Sequence, residues 1–174
     1  MKLPRFMRVL SDKLHVLIIA CCFVLLPSSS WILIGRQLRK NANIWEYIHV
    51  YLGAIAAILG VLFVVKCCLK GGWRQFFPWL NLQFSQLIDD IVGLCKLKLP
   101  SSGGKGLLSV VEGIGLILLM GVCVTGLMWL IFQGQADALS WRKYHIIFAQ
   151  GLCGFVLLHM VFAVIHVVEM IKNA

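Results

Sequence analysis

No two cysteines in this chain are spaced as C-x-x-C, although seven are present. That absence removes the usual thiolate sites for zinc and iron–sulfur clusters, and without C-x-x-C-H there is no point for covalent haem attachment. A disulfide framework is not expected either. Cys21, Cys22, Cys123 and Cys153 lie inside apolar runs, and Cys67, Cys68 and Cys95 fall on the side that the charge distribution makes reducing. The adjacent Cys67 and Cys68 read as small packing residues in preference to acylation sites. No internal repeat or low-complexity tract is evident. No small-residue cleavage site of the A-x-A kind follows the first apolar run, which carries His15 and is too long for a signal peptide's core; a retained anchor is expected. Polar sequence is too scarce to build a separate soluble domain, so residues 1–174 read as a single membrane domain.

What is present is apolar: 60% of the 174 residues are hydrophobic, and the mean hydropathy is +0.91. Ordinary soluble domains do not reach such values. Four runs, about 14–35, 44–66, 107–132 and 144–171, meet the length of about 20 residues that a helix needs to cross the hydrocarbon core. The net charge of +9 resembles that of a nucleic-acid binder, but the cations sit at the ends of the runs, so no nucleic acid is implied. Lys2, Arg5, Arg8, Lys13, the middle-loop cations from Lys66 to Lys105, and Lys172 share one side. Only Arg36, Arg39, Lys40, Arg142 and Lys143 occupy the other. Both termini are therefore expected in the cytoplasm.

Within run 1, Pro27 followed by Ser28, Ser29 and Ser30 predicts a kink whose freed carbonyls the hydroxyls can satisfy. Run 2 opens with His49, and Gly53 one turn later would let a flat ligand approach the backbone, or serve close helix packing. Between runs 2 and 3, apolar residues from Trp79 to Leu94 recur at helical spacing against Asn81, Gln83, Gln86, Asp89 and Asp90. This predicts an amphipathic helix over about 76–95 on the cytoplasmic membrane surface, with a re-entrant or partner-docking segment as the competing reading. Run 3 holds Glu112, placed to relay protons to a cytoplasmic-side substrate or to bond a neighbouring helix. Its Gly113, Gly115, Gly121 and Gly126 form a smooth face. A short outer loop, 133–140, leads to run 4.

All five histidines lie in the runs. At 3.6 residues per turn, the fourteen steps from His145 to His159 return almost to one face while separating the rings by roughly 21 Å. Topology sorts four of them into two layers, His49 with His145 near the outer face and His15 with His159 toward the inner one. Two imidazoles on facing helices are what a six-coordinate haem b requires, whereas zinc or copper would need three or four close ligands. The iron ligands of two haems are thus expected as His49–His145 and His15–His159. Arg142 and Lys143, with Arg36, Arg39 and Lys40, are positioned to meet the outer propionates, and Lys13 and Lys105 the inner ones; interfacial charge is the alternative. His166 is left for a propionate, a quinone, or neighbouring protein.

His15 after a basic tail, His49-x-x-x-Gly53, Val124-Thr125-Gly126, and His145 with His159 fourteen apart together resemble the bacterial di-haem cytochrome b group. That group includes the gamma subunit of membrane formate dehydrogenase, hydrogenase cytochrome b and the prokaryotic cytochrome b561 proteins. The resemblance implies an all-α bundle of four transmembrane helices in the bacterial inner membrane, holding two b haems. Span 1 would pair with the deeper span-4 ligand and span 2 with the first. It also implies electron transfer between an extracytoplasmic redox subunit, such as a dehydrogenase or hydrogenase, and the quinone pool of a respiratory chain. A quinone near the inner haem would find His159, His166, Glu112, Gly104 and Lys105 within reach. The corresponding family segment before span 3, of Asn-x-Gly-Gln-Lys type, is replaced here by Ser102-Gly103-Gly104-Lys105-Gly106. Two other readings stand beside this one: a stand-alone oxidoreductase of the b561 kind using a small diffusible reductant, and a haem-free scaffold or assembly factor.

Overall fold

In a computed structural model, residues 5–69, 73–96, 98, 100 and 104–172 are described. Four long helices dominate: α1 (Arg5–Ser28), α2 (Ile44–Cys67), α5 (Leu107–Ile131) and α6 (Ala138–Lys172). Between α2 and α5 lie two shorter ones, α3 (Trp73–Phe76) and α4 (Ser85–Cys95). The described residues contain no strand. Each long helix includes a segment apolar enough to cross a membrane. The chain divides into two compact units, Met1–Lys66 with Leu118–Gln150, and Cys67–Ile117 with Gly151–Ala174.

In the first unit the packing stripe of α1 is Leu14, Ile18 and Cys21, while Val16, Ile19 and Phe23 stay exposed. On α2 the buried positions past the first turn are Ala57 and Gly60, against exposed Tyr51, Ile55, Ile58 and Leu62. Both faces are apolar because lipid tails are as apolar as leucine, so small residues and shape decide which face meets protein. At Gly60 an added Cβ would stand 2.7 Å from Cys123 Sγ, and at Gly121 it would run into the Phe148 ring. Those two contacts set α2 and α6 against α5 within this unit.

Three expected boundaries are corrected. Run 1 does not continue as helix to residue 35: α1 ends at Ser28, one residue beyond Pro27, and tightens into a 3-10 turn over Ser29–Trp31. Proline removes a helix donor, and the serines supply the closing bonds, Ser28 Oγ to Leu25 O (3.1 Å) and Ser29 Oγ to Leu26 O (2.6 Å). The fourth helix begins at Ala138, directly after Asp137, and takes three residues from the expected outer loop. The expected single helix over 76–95 is broken into α3, a 3-10 turn over Pro78–Asn81, and α4. Pro78 starts that turn, and Leu82 ends it in the left-handed region at φ 52°.

The loop after α1 is tightly held. Glu46, 1% exposed, accepts from Leu33 N (3.0 Å), Asn43 N (2.9 Å) and Arg39 Nη2 (2.8 Å), while its own N–H donates to Asn43 Oδ1 (2.9 Å). The reciprocal Asn43–Glu46 bonds form a capping box at the start of α2. Further along, Trp129 Nε1 donates to Gly35 O (3.0 Å), Gly134 N to Arg36 O (3.1 Å) and Leu38 N to Gln133 Oε1 (3.2 Å).

In the second unit, α4 turns its polar side inward. Asp90, 8% exposed, accepts from Leu107 N (2.8 Å) at the start of α5, and Gln86 Oε1 accepts from Lys105 N (2.7 Å). Ile88, Ile91 and Val92 on the other side are exposed. A Cβ on Gly106 would overlap the Asp90 carboxylate, which explains a residue without a side chain there. Gly113 lies against the Phe76 carbonyl and the Trp79 ring, and Gly115 against the Phe155 ring.

Candidate haem-binding site

His49 enters on the second turn of α2, fixed by the capping box one turn earlier, and His145 enters on α6, against α5. Both are half-buried. Their ring centroids are 6.3 Å apart, with the planes at 88°. A metal–imidazole bond is about 2.0–2.1 Å. A five-membered ring with bonds of about 1.33 Å has a centre-to-vertex distance of about 1.1 Å. An iron between two collinear imidazoles therefore places the ring centres about 6.4 Å apart. Planes sharing an axis can be turned about it freely, so the 88° angle is compatible with such a pair. The residues present fit a bis-histidine haem.

The outer nitrogens are spoken for. His145 Nδ1 lies 3.1 Å from Val122 O and 3.4 Å from Thr125 Oγ1. A carbonyl only accepts, so Nδ1 carries the proton and Nε2 keeps the lone pair that a metal needs. The Thr125 hydroxyl donates to Gly121 O (2.6 Å), which leaves its lone pairs to the imidazole. On the other side His49 Nδ1 is 3.5 Å from Ser28 Oγ, whose own proton goes to Leu25 O. Thr125 and Ser28, 4% and 1% exposed, thus orient the two rings. Neither had been singled out as an orienting residue by the sequence. Thr125→Val, which keeps the shape, is expected to leave the helices intact and weaken haem retention at this pair by up to about 10-fold, the lower end of the loss expected for an outer-shell partner. Haem transfer to excess apomyoglobin measures it, and an unchanged rate would assign the orienting role to the Val122 carbonyl alone.

The two glycines beside the pair differ. At Gly126 an added Cβ would stand 3.1 Å from His145 Cε1 and 3.2 Å from Nδ1, so the missing side chain makes room for the imidazole. At Gly53 an added Cβ meets nothing within 4 Å. Among the described residues, Gly53 therefore meets no packing neighbour.

His15, exposed and in the first unit, stacks on Phe63 (5.6 Å, 9°). His159, half-buried and in the second, stacks on Phe155 (5.4 Å, 27°). Lys13, Arg142 and Lys143 are exposed members of the first unit, while Arg39 is held by Glu46. The five residues expected around a quinone, Gly104, Lys105, Glu112, His159 and His166, all fall in the second unit. Lys105 Nζ bonds Gln83 Oε1, and Gly104 O accepts from Ser109 Oγ (3.0 Å). His166 has Phe162 O 3.0 Å from Nδ1 and Pro100 O 3.3 Å from Nε2, so of its expected contacts the one seen is with neighbouring protein. Glu112 is half-buried on α5. No group of three or more metal-ligating side chains converges among the described residues. A haem iron needs only two, since the porphyrin supplies four nitrogens.

The sequence profile of the prokaryotic cytochrome b561 family matches residues 4–172. The chain belongs to the prokaryotic cytochrome b561 family. No curated protein and no solved structure matches it. As a bacterial cytochrome b it is a multi-pass membrane protein of transmembrane electron transfer, and haem b is its prosthetic group. The reading of the chain as a haem-free scaffold falls away with that membership.

Proposed function

We propose that this cytochrome carries electrons across the bacterial inner membrane through two bis-histidine b haems, between an extracytoplasmic redox subunit and the quinone pool of a respiratory chain. The observation that carries the reading is the 6.3 Å imidazole pair of His49 and His145, with both Nδ1 atoms turned toward protein oxygens. When bound, haem b supplies a one-electron relay whose potential follows from ligation, burial and nearby charge.

The chain's own residues do the rest. His49 and His145 hold one iron through Nε2, with Ser28, Thr125 and the Val122 carbonyl fixing the ring orientations. Gly53 leaves the α2 backbone open to a flat ring, and Arg142 and Lys143 receive propionates at that end. His15 and His159 hold the second iron, a pairing that rests on the depth of each in its span. Lys13 meets a propionate on the cytoplasmic side, where both termini lie. Quinone is taken up beside His166, Glu112, Gly104 and Lys105, and α4 rests its exposed Ile88, Ile91 and Val92 in the cytoplasmic monolayer. All of this belongs to a single four-helix membrane domain spanning the chain.

Membership in the b561 family favours one second reading, a stand-alone quinone oxidoreductase using a small diffusible reductant. Extraction from native membranes in mild detergent separates the two. Under the subunit reading a redox protein co-purifies and its substrate reduces the haems. An isolated monomer or homodimer that catalyses full turnover between a small reductant and quinone would overturn it.

A further inference from the structure

One buried side-chain donor among the described residues has no acceptor: Nδ2 of Asn81. It sits at the last position of the Pro78–Asn81 turn in the second unit. An amide with an unused donor is costly to bury, and native proteins keep few of them. Such a group points either to plain strain or to an acceptor that the protein itself does not contain.

Its surroundings say what kind of acceptor would fit. Leu80 and Leu82, on either side in sequence, are 64% and 80% exposed. Those two leucines make the outer surface of this turn apolar. Two residues earlier, Trp79 packs on α5 at Gly113, where an added Cβ would meet its Cη2 at 3.2 Å, and stands edge-on to Phe77 at 5.4 Å. Gly113 follows Glu112, already placed on the quinone side. An isolated amide donor two residues from an aromatic corner, under an apolar surface, suits a ring that carries a carbonyl oxygen.

We propose that Asn81 is a quinone-binding residue, its Nδ2–H donating to a carbonyl of the ring that the Phe77–Trp79 corner flanks. The inference rests on the quinone reading above and adds a residue outside the Gly104–Lys105 segment. Donation to a carbonyl strengthens as the ring accepts electrons and its oxygen gains charge, so Asn81 would favour the reduced ring.

The test compares Asn81→Leu with the parent, both as full-length holoprotein in lipid nanodiscs, using decylubiquinol as the probe. The expected result is an unchanged haem content, an unchanged rate of haem reduction by dithionite, and a KM for decylubiquinol raised about 10-fold. An unchanged KM together with a higher melting temperature would overturn the proposal, because Leu would then only have relieved an unpaired donor. Loss of a tightly bound phospholipid from the variant, detected by native mass spectrometry with KM unchanged, would overturn it in favour of a lipid ester carbonyl. Failure of the parent itself to oxidise decylubiquinol or reduce decylubiquinone would instead sink the quinone reading and Asn81's role with it.

Discussion

His145→Ala protein is expected to hold one haem b per chain where the parent holds two, with about half of the reduced b-type absorbance lost and one redox component missing. His49→Ala should remove the same component, because under the proposed ligation the two imidazoles, 6.3 Å apart, would share one iron. His159→Ala and His15→Ala should each remove the other component and spare the first. The helices should survive all four changes. In α5, Val122 O and Thr125 keep their own helical partners without the imidazole, and Gly121 still packs on Phe148. Redox titration of the four variants reads the pairing directly. If His49→Ala and His145→Ala deplete different components, the ligand assignment is wrong.

Gly53→Leu is expected to abolish haem binding at the same pair while leaving the apoprotein as stable as the parent, or slightly more so. A Cβ here meets no protein atom within 4 Å, and leucine is a far better helix former than glycine, so the polypeptide alone gives no reason for harm. A porphyrin on the His49–His145 axis would have its edge against this stretch of α2, one turn from His49. Leucine would then occupy the space of the ring. Haem content and detergent melting temperature, measured on one preparation, separate the two effects. Full haem retention would show that the ring lies on another side of the pair. Gly126→Leu should lose the same haem for another reason, since its first added carbon already crowds His145 at 3.1 Å.

Hydropathy made the four spans legible because length and apolarity alone decide whether a helix crosses a membrane. It could not place the end of α1, where the apolar Ile32 and Ile34 continue past the last helical residue. The stop there comes from Pro27 and the serine side chains. Histidine depth gave the His49–His145 pair before any distance was known. Its orienting groups were less visible: a backbone carbonyl such as Val122 O carries no sequence signal, and Thr125 reads as one more hydroxyl in a span. Glu46 did carry a signal, since Asn43-x-x-Glu46 before an apolar run is a capping pattern, and the same carboxylate holds Arg39. The break in the middle segment was not legible, because a leucine at φ 52° is not announced by its neighbours. Which ring each α5 glycine meets depends on tertiary packing, so Phe148, Phe155 and His145 became known only from the fold.

The central claim is that His49 and His145, oriented by Ser28, Thr125 and the Val122 carbonyl, hold one b haem and that His15 and His159 hold a second. Haem-to-protein stoichiometry settles it, by pyridine haemochrome absorbance set against amino-acid analysis of the purified chain. The account predicts two haem b per chain, reducible in two one-electron steps. A ratio of one, or a protein that purifies folded without haem, would contradict it.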